Sequence, residues 1–202
     1  MKTRLKIGPA DHGRPVTVEE FESGQDEEGY SSELIDGRLY VSPLPEMPHD
    51  MVVDWVLTVL KDYAREHPEV INHVTGNARV PVPGRVRPSQ AQPDVTVYCD
   101  FPRHLPIRDL KWRDISPVLV VEVVSEDNSD KDLVRNVEIY ECVTSIREYW
   151  IFNPLEDPDH PTLRVYRKRG RTWQRPIDVP AGSTYTTKLL PGLELLVDPR
   201  GK

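Results

Sequence analysis

Two carboxylates occupy positions where a charge without a partner would be costly. Glu122 lies in the middle of the apolar run 117–125 (PVLVVEVVS), and Asp94 opens the apolar segment 94–99. Apolar, β-branched runs of this kind are typical of strands buried on both faces of a sheet. An isolated ionised carboxylate in such a place carries a large desolvation penalty.

Three partners could make the charge of Glu122 tolerable: a metal ion, a cationic side chain or a proton. An ion pair to one of the arginines of the chain is the structural interpretation. A metal-binding carboxylate at the end of a core strand is the functional one, and Asp94, a second acid on an apolar strand, favours it. The residues by themselves leave the choice open.

Two helices are predicted around these acids. Apolar residues at helical spacing predict a helix over 49–66, which Pro68 ends. His49, in the first turn of this helix, is by itself typical of a half-exposed surface residue. A second helix is predicted over 130–143, with one polar stripe of residues four apart. That stripe consists of Asp132, Asn136 and Tyr140.

A hairpin and a series of strands complete the pattern. Asp36-Gly37 between apolar flanks predicts a tight turn, with Glu33 in the first arm, where alone it is typical of an exposed strand residue. Further strands are predicted over 70–74, 78–82, 94–99, 117–125, 147–153, 162–167, 172–177 and 189–195. This order of elements is typical of an α+β domain with a mixed sheet.

Composition limits the possible functions. The 202 residues suit one domain, which we expect over 16–198 after a flexible lead-in, 1–15. A net charge of −7 argues against broad, nonspecific coating of nucleic acid. The basic segment 164–175 still permits a phosphate-bearing partner, or it is a solvated hairpin that protects a sheet edge.

Cysteine usage and hydropathy indicate a cellular location. Cys99 and Cys142 show neither ligand spacing nor a disulfide framework, which suits a reducing interior. No run of residues approaches membrane-spanning length. We therefore expect a cytoplasmic protein without a membrane partner.

Several short segments occur in a characteristic order and spacing: ELIDGRL at 33–39, the stretch 42–49, QPDV at 92–95, VEVVS at 121–125, REYWI at 147–151 and LPGL at 190–193. Together they resemble the bacterial putative restriction endonuclease family of the PD-(D/E)XK nuclease superfamily. The resemblance covers nearly the whole chain, 16–198, and no single segment is specific. The resemblance implies a restriction endonuclease-like fold: a mixed central sheet flanked by helices, with added N-terminal and C-terminal β-hairpins.

The resemblance also implies roles for particular residues. Asp94 and Glu122, with the main-chain carbonyl of Val123, would hold a divalent cation, and oxygen ligands suit Mg²⁺ or Mn²⁺. Glu33 and His49 would lie at the same site. The implied activity is endonucleolytic hydrolysis of phosphodiester bonds in DNA, and the implied assembly is compatible with a homodimer.

The chain departs from the family pattern at the lysine. Val124 occupies the usual lysine position of the motif. In the family the lysine is typically relocated to one turn after an acid, here Asp132, and that position holds Asn136. Asparagine can orient a water molecule but carries no charge. Lys131 and Arg135 are close in sequence, but we expect them to point elsewhere on the helix.

Three hypotheses follow. The first is an active metal-dependent endonuclease in which Glu33, His49, Asp94, Glu122 and Asn136 form the site. The second is a nuclease-fold module that binds nucleic acid or protein without cutting it. The third is a structural pair of carboxylates that binds no metal.

Overall fold

A computed structural model describes residues 4–126 and 131–201, apart from the side chain of Asp132. The helices are α1 (Val18–Ser23), α2 (Met47–Glu66) and α3 (Asn136–Cys142), and a π-helical turn (Lys131–Arg135) leads into α3. Short 3-10 turns cover Pro9–Asp11, Ile107–Asp109 and Trp112–Asp114. The strands are β1 (Lys6–Ile7), β2 (Gln25–Asp26), β3 (Tyr30–Ile35), β4 (Arg38–Pro43), β5 (His73–Gly76), β6 (Val80–Pro81), β7 (Gln90–Ala91), β8 (Val95–Tyr98), β9 (Leu119–Val123), β10 (Glu148–Asn153), β11 (Thr162–Arg169), β12 (Thr172–Trp173), β13 (Ile177–Val179), β14 (Thr184–Thr186) and β15 (Glu194–Leu196).

The central sheet is mixed, as predicted. Its strand order is β12-β11-β10-β9-β8-β5, and β13 also pairs with β11. Strands β9 and β10 are parallel, while β8 and β11 run antiparallel to their neighbours β9 and β10. The apolar run around Glu122 therefore forms a central strand between β8 and β10, and all five residues of β9 are buried.

The two faces of the central sheet are covered by different helices. On one face, α2 packs Val52, Val56 and Leu60 against the odd-numbered residues of β9 and against the C-terminal segment. On the other face, α3 packs Ile139 and Tyr140 against the even-numbered residues of the same strand. Because side chains alternate along a strand, Glu122 faces α3 and not α2.

A second sheet and two small strand pairs surround this core. The second sheet has the order β4-β3-β7-β6, and its β3–β4 hairpin turns at Asp36-Gly37 as predicted, with φ of +49° and +74°. Strands β14 and β15 pair with each other near the C-terminus. The lead-in contributes β1, which pairs with β2 and buries Ile7 beside Phe21, a contact that was not predicted.

Three predicted strands differ from the observed ones because turns intervene. No strand forms over 70–72, since the N–H groups of Val70 and Ile71 donate to the His67 carbonyl in a turn that closes α2. The strand expected over 172–177 is divided into β12 and β13, with Pro176 between them, since proline cannot donate to the ladder. In 189–195, the turn at Pro191-Gly192 delays β15 until Glu194.

Candidate active site

Asp94 and Glu122 face each other from neighbouring antiparallel strands. The pairing of Thr96 with Val120 places Asp94, just before β8, opposite Glu122, and residues opposite each other project from the same face. The main-chain N–H of Asp94 donates to Glu122 Oε2 (3.3 Å), and the N–H of Val123 donates to Asp94 Oδ2 (2.7 Å). All three residues line one cavity of about 330 Å³. The structure thus brings the two predicted acids together.

Two neutral donors hold the other oxygen of Glu122. The Tyr140 hydroxyl donates to Oε1 at 2.6 Å, and Asn136 Nδ2 donates to the same atom at 2.8 Å. Burial, together with the negative charge of Glu122, raises the pKa of Tyr140 well above its usual value, so its phenol remains a donor. Glu122 is 1% exposed, and a buried carboxylate needs such partners. The two donors, Asn136 and Tyr140, are separated by one helical turn on the predicted polar stripe. The side chain of Asp132 lies outside the described residues.

His49 joins the acids from the first turn of α2. Its Nε2 lies 3.2 Å from Asp94 Oδ2, and its Nδ1 lies 3.2 Å from Asp50 Oδ1. Burial would lower the pKa of this imidazole, but the hydrogen bonds and charges of Asp94 and Asp50 outweigh burial and raise it. The expectation of a half-exposed histidine is wrong, because His49 is only 7% exposed and turns into the cavity.

Glu33 reaches the same cavity from β3, paired with two cations. Its Oε1 accepts the main-chain N–H of Gln92 at 3.0 Å, and its Oε2 accepts Arg135 Nη2 at 2.5 Å, with Lys131 Nζ at 3.5 Å. Burial would raise the pKa of Glu33, but the Lys131 and Arg135 charges and these hydrogen bonds lower it. Glu33 is therefore a buried, ion-paired residue and not an exposed one.

The expected orientation of Lys131 and Arg135 is wrong. They are four residues apart, so they share one side of their turn, and that side faces Glu33. The interpretation of Asn136 also changes, because this side chain is 0% exposed and directed at Glu122. Val124, at the usual lysine position, is buried in the apolar cluster beneath α3.

Three of the basic residues in 164–175 have structural partners. Arg164 pairs with Asp178 across the β11–β13 ladder, and Arg167 lies 3.4 Å from Glu148. Lys168 Nζ donates to the carbonyls of Tyr140, Glu141 and Val143, at and just beyond the C-terminal end of α3. These contacts favour the structural interpretation for these three residues.

The donor chemistry of the cavity fits a hard divalent cation. Within 4–126 and 131–201, no group of three or more His, Cys, Asp or Glu side chains is arranged to hold a metal ion. Mg²⁺, however, is usually bound through only one or two carboxylates, with water filling other positions. Asp94 and Glu122, which both line the cavity, meet that requirement.

Comparison with known proteins identifies the family and the fold of the chain. The model of the Uma2 family, described as "Putative restriction endonuclease", matches residues 18–198. The chain belongs to the Uma2 family. Its nuclease-like fold is also that of the crystal structure of a putative nuclease belonging to DUF820 from Anabaena variabilis. That structure has a TM-score of 0.68 at 20% identity, and the match covers 91% of this chain and 96% of the other.

Two further findings concern this Uma2 protein. No curated protein matches its sequence. Among the described residues, no helix combines the length and the apolar character that crossing a lipid bilayer requires.

Proposed function

We propose that this Uma2 protein is a divalent-metal-dependent DNA endonuclease. The observation that carries the proposal is the convergence of Asp94 and Glu122 on one face of the central sheet, inside a cavity that also contains Glu33 and His49. The membership of the chain in a family described as restriction endonucleases supports nucleic acid as the substrate.

Asp94, Glu122 and the carbonyl of Val123 are the groups proposed to hold Mg²⁺ or Mn²⁺. Such an ion would stabilise negative charge on the phosphate and acidify the attacking water. In the hydrolysis, the water gives up a proton as its oxygen bonds to phosphorus, the bond from phosphorus to the leaving sugar oxygen breaks, and that oxygen takes up a proton.

The protein's own residues orient the two carboxylates. Tyr140 and Asn136 fix Glu122 through Oε1, which leaves Oε2 beside Asp94. The Val123 N–H and His49 fix Asp94 through Oδ2. Carboxylates held in this way do not need to reorganise when a cation arrives, which is the value of a preorganised site.

Cleavage assays test the proposal. Purified wild-type protein is incubated with supercoiled duplex DNA and with single-stranded DNA, in Mg²⁺ or in Mn²⁺. We expect cleavage that requires metal and that disappears in Asp94→Ala and Glu122→Ala. Asp54→Ala, which removes an exposed acid of α2, is the matched control and should cut like the wild type. Intact DNA in every wild-type reaction contradicts the proposal.

A nuclease-fold module that binds DNA without cutting it is the second candidate. The observations that favour it are Val124 and Asn136 at the two lysine positions, both buried and neither among the residues that line the cavity. Retention of DNA in a gel-shift assay, with no cleavage in either metal, would support this candidate. Sedimentation of the same samples tests the homodimer compatible with the family.

A further inference from the structure

Neither position that the family reserves for lysine places a positive charge in the cavity. Val124 is 0% exposed and packs beneath α3 with Ile139. Asn136 is also 0% exposed, and its Nδ2 donates to Glu122. A phosphodiester entering the cavity would therefore receive no positive charge from either position.

The cavity needs such a charge because its described lining is strongly acidic. The acids among the lining residues are Glu33, Asp50, Asp94 and Glu122. Of the described residues that line the cavity, Lys131 is the only lysine or arginine. Like charges close together in a cleft disfavour each other, so a phosphate would be repelled by this lining without a cation.

Lys131 is placed so that it can contact a phosphate without leaving Glu33 uncompensated. Its Nζ lies 3.5 Å from Glu33 Oε2, whereas Arg135 Nη2 is at 2.5 Å from the same oxygen. The shorter, hydrogen-bonded contact to Arg135 and the Gln92 N–H already satisfy the two oxygens of Glu33. The flexible four-carbon stem of lysine allows the ammonium to turn toward a second anion.

Arg135 is engaged elsewhere. Besides Glu33, its guanidinium donates to Asn136 Oδ1 through Nε (3.1 Å) and Nη2 (3.0 Å), and it lies 5.1 Å from the centre of the Tyr40 ring. These contacts use the fixed donor fork of arginine. Arg135 therefore holds Glu33 and Asn136 in place, and Lys131 is the cation that faces the cavity.

We propose that Lys131 is a catalytic residue that contacts the phosphate being cleaved and supplies the charge that the usual motif lysine supplies in relatives. The inference rests on the proposed endonuclease function. Nζ–H groups of Lys131 donate to a non-bridging phosphate oxygen, and the positive charge offsets the negative charge that builds up there during attack by water. Lys131 acts from the turn before α3, five residues ahead of Asn136, which is the position that the family reserves for its lysine.

The test compares kcat, KM and metal affinity among variants of Lys131. Cleavage of a fluorophore–quencher DNA strand in Mn²⁺ is measured for the wild type, Lys131→Met, Lys131→Arg and Lys188→Met. Removal of one preorganised donor typically lowers kcat by about 10²–10³-fold, and we expect that loss in Lys131→Met with a smaller change in KM. Lys131→Arg keeps the charge and should recover part of the rate. Lys188 is exposed, and its variant should match the wild type.

Calorimetric titration with Mn²⁺ separates lost chemistry from a damaged site. Because Lys131→Met removes a nearby positive charge, we expect Mn²⁺ to bind this variant at least as tightly as the wild type. Weaker Mn²⁺ binding together with the lower kcat would show a structural role and overturn the inference.

The remaining outcomes distinguish this inference from the proposed function. If Asp94→Ala abolishes cleavage while Lys131→Met cuts at the wild-type rate, the endonuclease stands and the role of Lys131 is refuted. If the wild type does not cut DNA, the proposed function fails and this inference fails with it. If Asn136→Lys then restores cleavage, the missing charge belongs at position 136.

Discussion

Glu33→Gln is the substitution that best separates electrostatics from shape in this site. Glutamine keeps the size of the side chain and an oxygen to accept the Gln92 N–H. It removes the charge that Arg135 and Lys131 share, and these two side chains are 23% and 22% exposed. Two partly buried cations would then face each other without their common counter-ion.

The cost of this change follows from burial. Loss of one partner of a fully buried ion pair costs about 3–5 kcal/mol. Water reaches both cations here and screens their charges, as it does in exposed ion pairs. We therefore expect Glu33→Gln to lower the free energy of unfolding by about 2–3 kcal/mol. For a chain of this size that corresponds to a fall in Tm of about 4–12 °C, at roughly 2–4 °C per kcal/mol.

The dependence on pH supplies the sharper assay. The pKa of Glu33 lies below its usual value of 4.5 in the folded protein. A lowered carboxyl pKa contributes stability that is complete above the unfolded value and is lost as pH falls through the folded value. The free energies of unfolding of wild type and Glu33→Gln, measured with urea, should therefore differ by a constant amount at pH 6–8. The difference should become smaller below pH 4.5.

Glu28→Gln is the matched control, because Glu28 is exposed. It should change the free energy of unfolding by less than about 0.5 kcal/mol, as surface substitutions usually do. A Glu33→Gln protein as stable as this control at pH 7 would refute the reasoning, and so would a difference that does not depend on pH.

Three further substitutions test the surroundings of the site by urea unfolding. Tyr140→Phe removes the 2.6 Å donor to Glu122 and should cost about 1.5–3 kcal/mol, as hydrogen bonds to charged groups do; a neutral result would mean that Asn136 alone satisfies this oxygen. Lys168→Met removes the ammonium that donates to three carbonyls near the end of α3 and should cost about 1–3 kcal/mol, with wild-type stability as the contradicting outcome. Gly37→Ala forces alanine to φ of +74° and should cost about 1–2 kcal/mol. An unchanged midpoint of urea unfolding would contradict the claim that the turn requires positive φ at this residue.

Local chemistry explains the features that the sequence predicted. The Asp36-Gly37 turn needs positive φ at both residues, and both have it. Helix α2 follows its apolar stripe, with Val52, Val56 and Leu60 buried. The two acids share a face because their strands pair as neighbours with Asp94 opposite Glu122.

Features that depend on tertiary packing could not be predicted in the same way. Nothing in the local sequence shows that Lys131 and Arg135 turn toward Glu33, because Glu33 lies about a hundred residues before them in the chain. A histidine in the first turn of a helix is usually exposed, but the first turn of α2 lines the cavity and His49 is buried there. The helical spacing predicts Tyr140 on the polar stripe, but its hydrogen bond to Glu122 depends on how α3 packs on the sheet.

The central claim is that Asp94 and Glu122 share a hard divalent cation. Anomalous diffraction from a crystal soaked in Mn²⁺ tests it most directly. We predict one strong peak between these two carboxylates, at coordination distance from an oxygen of each and near the Val123 carbonyl, and its loss in Asp94→Ala. An absent peak at millimolar Mn²⁺, or a peak bound by other residues, would contradict the account.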